Sequence, residues 1–184
     1  MRRLAGASVS LAFVALLGFF WTPVLRHWAG RPIPVQRYEI TERSHVETLV
    51  SYPQAPPVGG NHAPIWQNCG FYDTPIANEH AVHSLEHGAV WVTYRPDLPE
   101  AQIERLRQLA HRHTYILVSP FPDLPAPVVV SAWGHQSHLA STDDPRLGQF
   151  VSVFRLGRQA PERGEPCTGG VGTPKEAGPV SLSW

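Results

Sequence analysis

The stretch AVWVTYRPDLPEAQIERLRQLAHRHTYILV, residues 89–118, changes its hydrophobic rhythm twice. Ala89 to Tyr94 is dense in β-branched and aromatic residues, the composition of a strand. From Pro99 to His111 the apolar positions are Ile103, Leu106, Leu109 and Ala110. Spaced by three, three and one, they draw a single stripe along a helix, and Pro99 suits the first turn. Tyr115 to Val118 then returns to the strand pattern. Further on, Val128 to Ala132 reads as another strand, and Asp144 to Phe154 as a helix with Leu147, Phe150, Val151 and Phe154 on one face. Towards the N-terminus, Asn78 is the expected N-cap of a short helix ending near His87, with Gly88 at its C′ position.

The 19 prolines and 15 glycines place long, shaped loops between these short elements. The densest of these loops is Ser51 to Pro64. The expectation is one compact α+β domain over about residues 38–170, a small sheet with short helices. Residues 171–184 read as a flexible tail, and residues 26–37 as a linker stiffened by Pro32 and Pro34.

With 15 basic and 15 acidic residues the formal net charge is +0. A chain without a basic field does not gather phosphates, so nucleic acid is excluded as a partner class. No charged residue occurs between Arg3 and Arg26. Leu4 to Leu25 is therefore long enough to span a bilayer, which takes about 20 apolar residues in helix. Trp21 and Trp28 stand near its far end, where amphipathic rings favour the interface. Residues 1–25 read as an uncleaved single-pass anchor, with a cleaved signal peptide as the rival reading. The membrane is thus the expected partner. An apolar run so close to the start resembles an export signal, which places the body outside the cytoplasm. Cys69 and Cys167 are an even pair without CxxC spacing, and in that compartment a disulfide is the expected state.

Several stretches together carry a family likeness. They are Tyr52-Pro53 with Pro56-Pro57 and Gly60-Asn61-His62, then Cys69-Gly70-Phe71-Tyr72-Asp73, and above all His83-Ser84-Leu85-Glu86-His87-Gly88. Ser119-Pro120-Phe121-Pro122, Ala132-Trp133-Gly134, and Pro161-Glu162 followed by Cys167 extend it. The sequence resembles the bacterial family of domain of unknown function 3105, from about Tyr52 to Gly170. The resemblance implies an exported or membrane-anchored protein and a domain of that extent. It carries no activity with it.

The concentrated chemistry lies around the short helix. His80, His83 and His87 are separated by three and four residues, so a helix presents them on one face. Imidazoles one turn apart can converge on a single ion, and His62 in the Pro/Gly loop is the natural ligand from elsewhere. Neutral imidazoles suit a divalent transition metal such as zinc or copper. The single methionine, at position 1, argues against a copper(I) thioether site. The bland alternative is a packed cluster whose histidines merely bond backbone carbonyls.

His83-Ser84-Leu85-Glu86-His87 also fits the H-x-x-E-H pattern of inverted zinc proteases, in which the glutamate is the general base. That chemistry needs a downstream acidic ligand, for which Glu162 and Glu165 are at hand, but Gly88 ends the helix at once. Cys69 and Cys167, if not bonded, are candidates for a mixed metal site. His111 and His113 suit the end of the amphipathic helix, and His135 and His138 read as a solvated loop. Two functional readings therefore stand: a metal-handling or interaction module using His62, His80, His83 and His87, and a metal-dependent hydrolase using His83, Glu86 and His87.

Overall fold

Strands buried at every position need cover on both faces, and the architecture answers that demand. A computed structural model describes residues 34–176. The expected membrane helix at residues 4–25 lies outside them. Among the described residues no helix is long and apolar enough to cross a membrane. The elements are β1 (Gln36–Arg37), β2 (Gly70–Phe71), α1 (Asn78–Glu86), β3 (Val90–Tyr94), α2 (Glu100–Arg112), β4 (Ile116–Pro120), β5 (Val128–Ala132), β6 (His135–Leu139) and α3 (Pro145–Phe154). They form an α+β unit around one six-stranded sheet of order β1-β6-β5-β3-β4-β2.

The opening stretch builds the centre of this sheet. β3 and β4 pair in parallel, Val90 against Ile116 through Tyr94 against Pro120, with α2 as the crossover. β5 runs antiparallel to β3, and β6 antiparallel to β5. Along β3 the side chains alternate between two cores, as the pleat requires. Val90, Val92 and Tyr94 join Leu106 of α2 and Phe150 of α3 on one face. Trp91 turns to the other face, where it meets Leu117, Ala81, Val82 and Leu85. So α2 and α3 cover one side, and α1 covers the other.

Two expectations are corrected. Asn78 is the first helical residue of α1, and the N-cap is Ala77, which makes no side-chain cap bond. Residues 135–139, expected as a solvated loop, are strand β6. Its polar composition hid it, because Gln136 and Ser137 are buried and bonded. The Gln136 amide donates to the Pro56 carbonyl and the Ser137 hydroxyl to the Pro34 carbonyl. By contrast Asp144 does cap α3, accepting from the Arg146 amide.

Cys69 and Cys167 stand at disulfide distance, with Cα atoms 5.3 Å apart at a sequence separation of 98. Around them the C-terminal segment is held by backbone bonds. The Cys69 amide donates to the Cys167 carbonyl, Asn68 to Val171, and Lys175 to Phe71. A cross-link closing so long a loop contributes about 4 kcal/mol in the chain-entropy account. Replacing both cysteines by serine should lower the urea midpoint by a corresponding amount while the native far-UV spectrum survives. An unchanged midpoint under oxidising conditions would show the pair is not bonded.

Candidate metal centre

Helix α1 delivers three of the relevant side chains. His83, Glu86 and His87 are each no more than 3% exposed. Burial arises because two other segments fold over the helix. One is the loop preceding it, where the Ala63 amide donates to the Glu79 carbonyl and the Gln67 amide to the His80 carbonyl. The second comes from the C-terminal part of the domain. A helix leaves its last carbonyls without internal donors, and here the amides of Glu162 and Gly164 bind the carbonyls of Glu86 and His87. That capping sets Glu162 beside His87.

His62 arrives through the Pro/Gly loop. Gly59 and Gly60 take φ of +151° and +115°, conformations that favour glycine, and the chain then bridges to an earlier segment. The His62 amide donates to the Ser44 carbonyl, and the Val46 amide to the His62 carbonyl. This isolated parallel bridge pairs His45 with His62. The His45 ring stacks on His83 with centroids 4.8 Å apart and meets His62 edge-on at 5.0 Å.

Two donor groups result. One ligand atom each from His45, His62, His83 and Glu86 lies within 4.8 Å of the others, and the same holds for His83, His87 and Glu162. His80 belongs to neither: its Nδ1 faces the Ile65 carbonyl at 2.5 Å. His45 escaped the sequence reading because it stands alone in an unpatterned segment. Only its backbone pairing brings it in, and no spacing signals that. Glu86 was legible as a general base, and Glu162 as a downstream acid.

The ring nitrogens are ordered in one sense. Nδ1 of His62 donates to the Gly60 carbonyl at 2.8 Å, that of His83 to Ala63 at 2.7 Å, and that of His87 to Pro166 at 2.7 Å. A carbonyl only accepts, so each ring donates from Nδ1 and presents Nε2 to its neighbours. The His62 Nε2 atom lies 2.9 Å from Glu86 Oε2. The two atoms form a buried ion pair when His62 is protonated, and Nε2 has no other partner. Across from it, Arg43 Nη1 stands 3.6 Å from Glu86 Oε1.

The electrostatics match. Burial pushes the His83 imidazole down to about 4; the Ala63 carbonyl opposes this, and the neighbouring His87, His62 and His45 reinforce it. Burial pulls the Glu86 carboxyl up, but His62, His83 and Arg43 outweigh it and hold it below its ordinary value. The centre thus pairs a neutral imidazole with a carboxylate. Such a set can bind a cation: backbone carbonyls fix the ring tautomers, as second shells of metal histidines do. Bonds of about 2.1 Å place tetrahedral donors about 3.4 Å apart, so the rings need only a small contraction.

A family described as "Protein of unknown function (DUF3105)" matches residues 45–169. The chain belongs to that family. The DUF3105 span opens at His45 and takes in every donor of both groups. No curated protein and no solved structure matches the chain.

Protonation gives a test of the metal-free centre. The unfolded chain takes up a proton on His83 near 6.5, whereas the folded protein refuses it until about 4. Stability is therefore complete above pH 6.5 and falls as the pH drops towards 4. Glu86, held low, adds to the loss once the pH passes below its ordinary value of 4.5. Urea midpoints of chelator-treated protein should decline through this range. A midpoint that rises on acidification contradicts the arrangement.

Proposed function

We propose that this protein is a membrane-anchored, extracytoplasmic module that binds and handles a divalent transition metal, zinc or copper. Its site is centred on His62, His83 and Glu86, with His45 completing one donor set and His87 with Glu162 a second. One observation carries the reading. Three convergent imidazoles are held at Nδ1 by backbone carbonyls, which leaves their Nε2 atoms for another partner, and His62 Nε2 is buried 2.9 Å from a Glu86 oxygen. That separation calls for a positive charge between the two atoms, and a metal ion shared with His45 and His83 supplies it. The anchor rests on the length and apolarity of residues 4–25, and the compartment on that same segment.

A metal-dependent hydrolase is the second reading, favoured by the meeting of His83, His87 and Glu162. This is the two-histidine, one-glutamate set of the H-x-x-E-H pattern, with a position left open. Its weakness is Glu86. The base of such a reaction has to face a metal-bound water, whereas Glu86 is buried against His62 and Arg43.

Elemental analysis of the purified full-length protein should find zinc or copper bound in stoichiometric amount. His83→Ala should lose it, and His80→Ala should keep it. Equal metal content in H83A and wild type would end the metal reading. Peptidase activity lost in Glu86→Gln with full metal content would favour the hydrolase. For the anchor, the full-length protein should stay with membranes through carbonate extraction. A soluble mature chain starting beyond residue 25 would identify a cleaved signal instead.

A further inference from the structure

The two donor groups share one residue, and that residue has one free lone pair. His83 Nδ1 donates to the Ala63 carbonyl at 2.7 Å, so only Nε2 is available to an ion. Its ring lies 4.9 Å from that of His62 and 4.8 Å from that of His45 on one side, and 4.5 Å from that of His87 on the other. A neutral imidazole bonds one cation through one nitrogen. Two divalent ions drawn to the same nitrogen would also repel each other strongly at so short a separation.

We infer that the centre holds a single divalent ion in two mutually exclusive positions, with His83 as the ligand common to both. This rests on the metal-binding reading above and adds its stoichiometry and its mobility. One position is four-donor and closed: His45, His62, His83 and Glu86. The other has three donors, His83, His87 and Glu162, and keeps room for a water or an incoming ligand. Each is reached from solvent by its own exposed member. His45 is exposed, and the Glu162 side chain is 44% exposed, while His83 between them is buried. An ion can therefore pass from one position to the other by exchanging the remaining donors while His83 stays bound. A site for receiving and handing on a cation needs that property; one that only cross-links the fold does not.

Cobalt(II) is the probe, because its visible spectrum reports the donor set. Full-length protein, stripped of metal, should saturate at one cobalt per chain. His45→Ala with Glu86→Gln should still bind one cobalt, with a changed spectrum, through the three-donor position. His87→Ala with Glu162→Gln should also bind one, with a spectrum distinct from the first variant. His83→Ala should weaken both modes by more than about 100-fold, since removing outer-shell partners alone costs about 10–100-fold. His45→Ala by itself alters only an exposed side chain and makes the same distinction if the buried Gln is not tolerated. Two cobalt ions per wild-type chain would overturn the shared-ligand inference and leave metal binding standing. So would a complete loss of binding in either paired variant that remains folded by circular dichroism. Wild-type protein taking up no cobalt and no zinc would overturn the metal reading itself.

Discussion

Helix α1 is nine residues long, too short to persist in water by itself, and every feature of the centre depends on what surrounds it. Its apolar side chains Ala81, Val82 and Leu85 pack on Trp91 and Leu117 of the sheet. Its polar side chains His83, Ser84 and Glu86 are nonetheless buried. That is possible because the loops covering them bring backbone carbonyls along with the Trp66 ring. At the C-terminus, Gly88 takes a φ of +102°, and a Cβ there would stand 3.2 Å from the Leu156 Cα. The turn releases the chain directly into β3, and the amides of Glu162 and Gly164 take up the helix's last carbonyls. One short helix end thus joins the sheet, the donor residues and the C-terminal segment, and none of the three can shift independently.

The same backbone accounting distinguishes His62 from its neighbour Ser84. Ser84, also buried, is fully served: its hydroxyl donates to the Gln67 carbonyl at 2.7 Å. His62 is served on Nδ1 alone. Its other nitrogen meets the Glu86 carboxylate at 2.9 Å, so the most buried polar contact of the centre needs a proton or another cation between its atoms. Local conflict of this kind marks function more often than stability. Arg43 offers Glu86 partial compensation at 3.6 Å from a side chain that is 60% exposed. Such a screened, swinging counter-charge can yield to an ion without disturbing the core.

What could be read in advance followed from periodicity. Residues 89–118 carried the strand, helix and strand at the heart of the sheet, with element ends within about two residues, and Val128–Ala132 was visible by its run of valines. β6 was not, because its buried residues are polar and their partners lie far off, on Pro56 and Pro34. β1 and β2 are two residues each, shorter than any pattern can reveal. In the centre, the helical spacing correctly put His83 and His87 together. The same argument put His80 with them, yet its ring turns to the Ile65 carbonyl. Spacing fixes the face of a helix, and the loop that covers the face decides which rings converge. His45 needed a backbone bridge to His62 that nothing local to Ser44-His45-Val46 encodes.

The donor chemistry bears on which activity such a centre supports. Three imidazoles and one carboxylate make a closed set for a four-coordinate ion, and closed sets hold metal rather than activate water. Two imidazoles and one carboxylate leave a position open, as hydrolytic centres require, but a base must then stand beside the bound water. Glu86 is the acid of the H-x-x-E-H pattern, and it is directed into the closed set, where it serves as a ligand or as the partner of His62. For one ion the two roles exclude each other. A carboxylate committed to the cation side of His62 is unavailable as a base on the His87 side. Proton abstraction also requires solvent access that a 2% exposed Glu86 lacks. On the proposed metal-binding reading, the arrangement suits capture and transfer of a cation, with the open position serving as the way in or out.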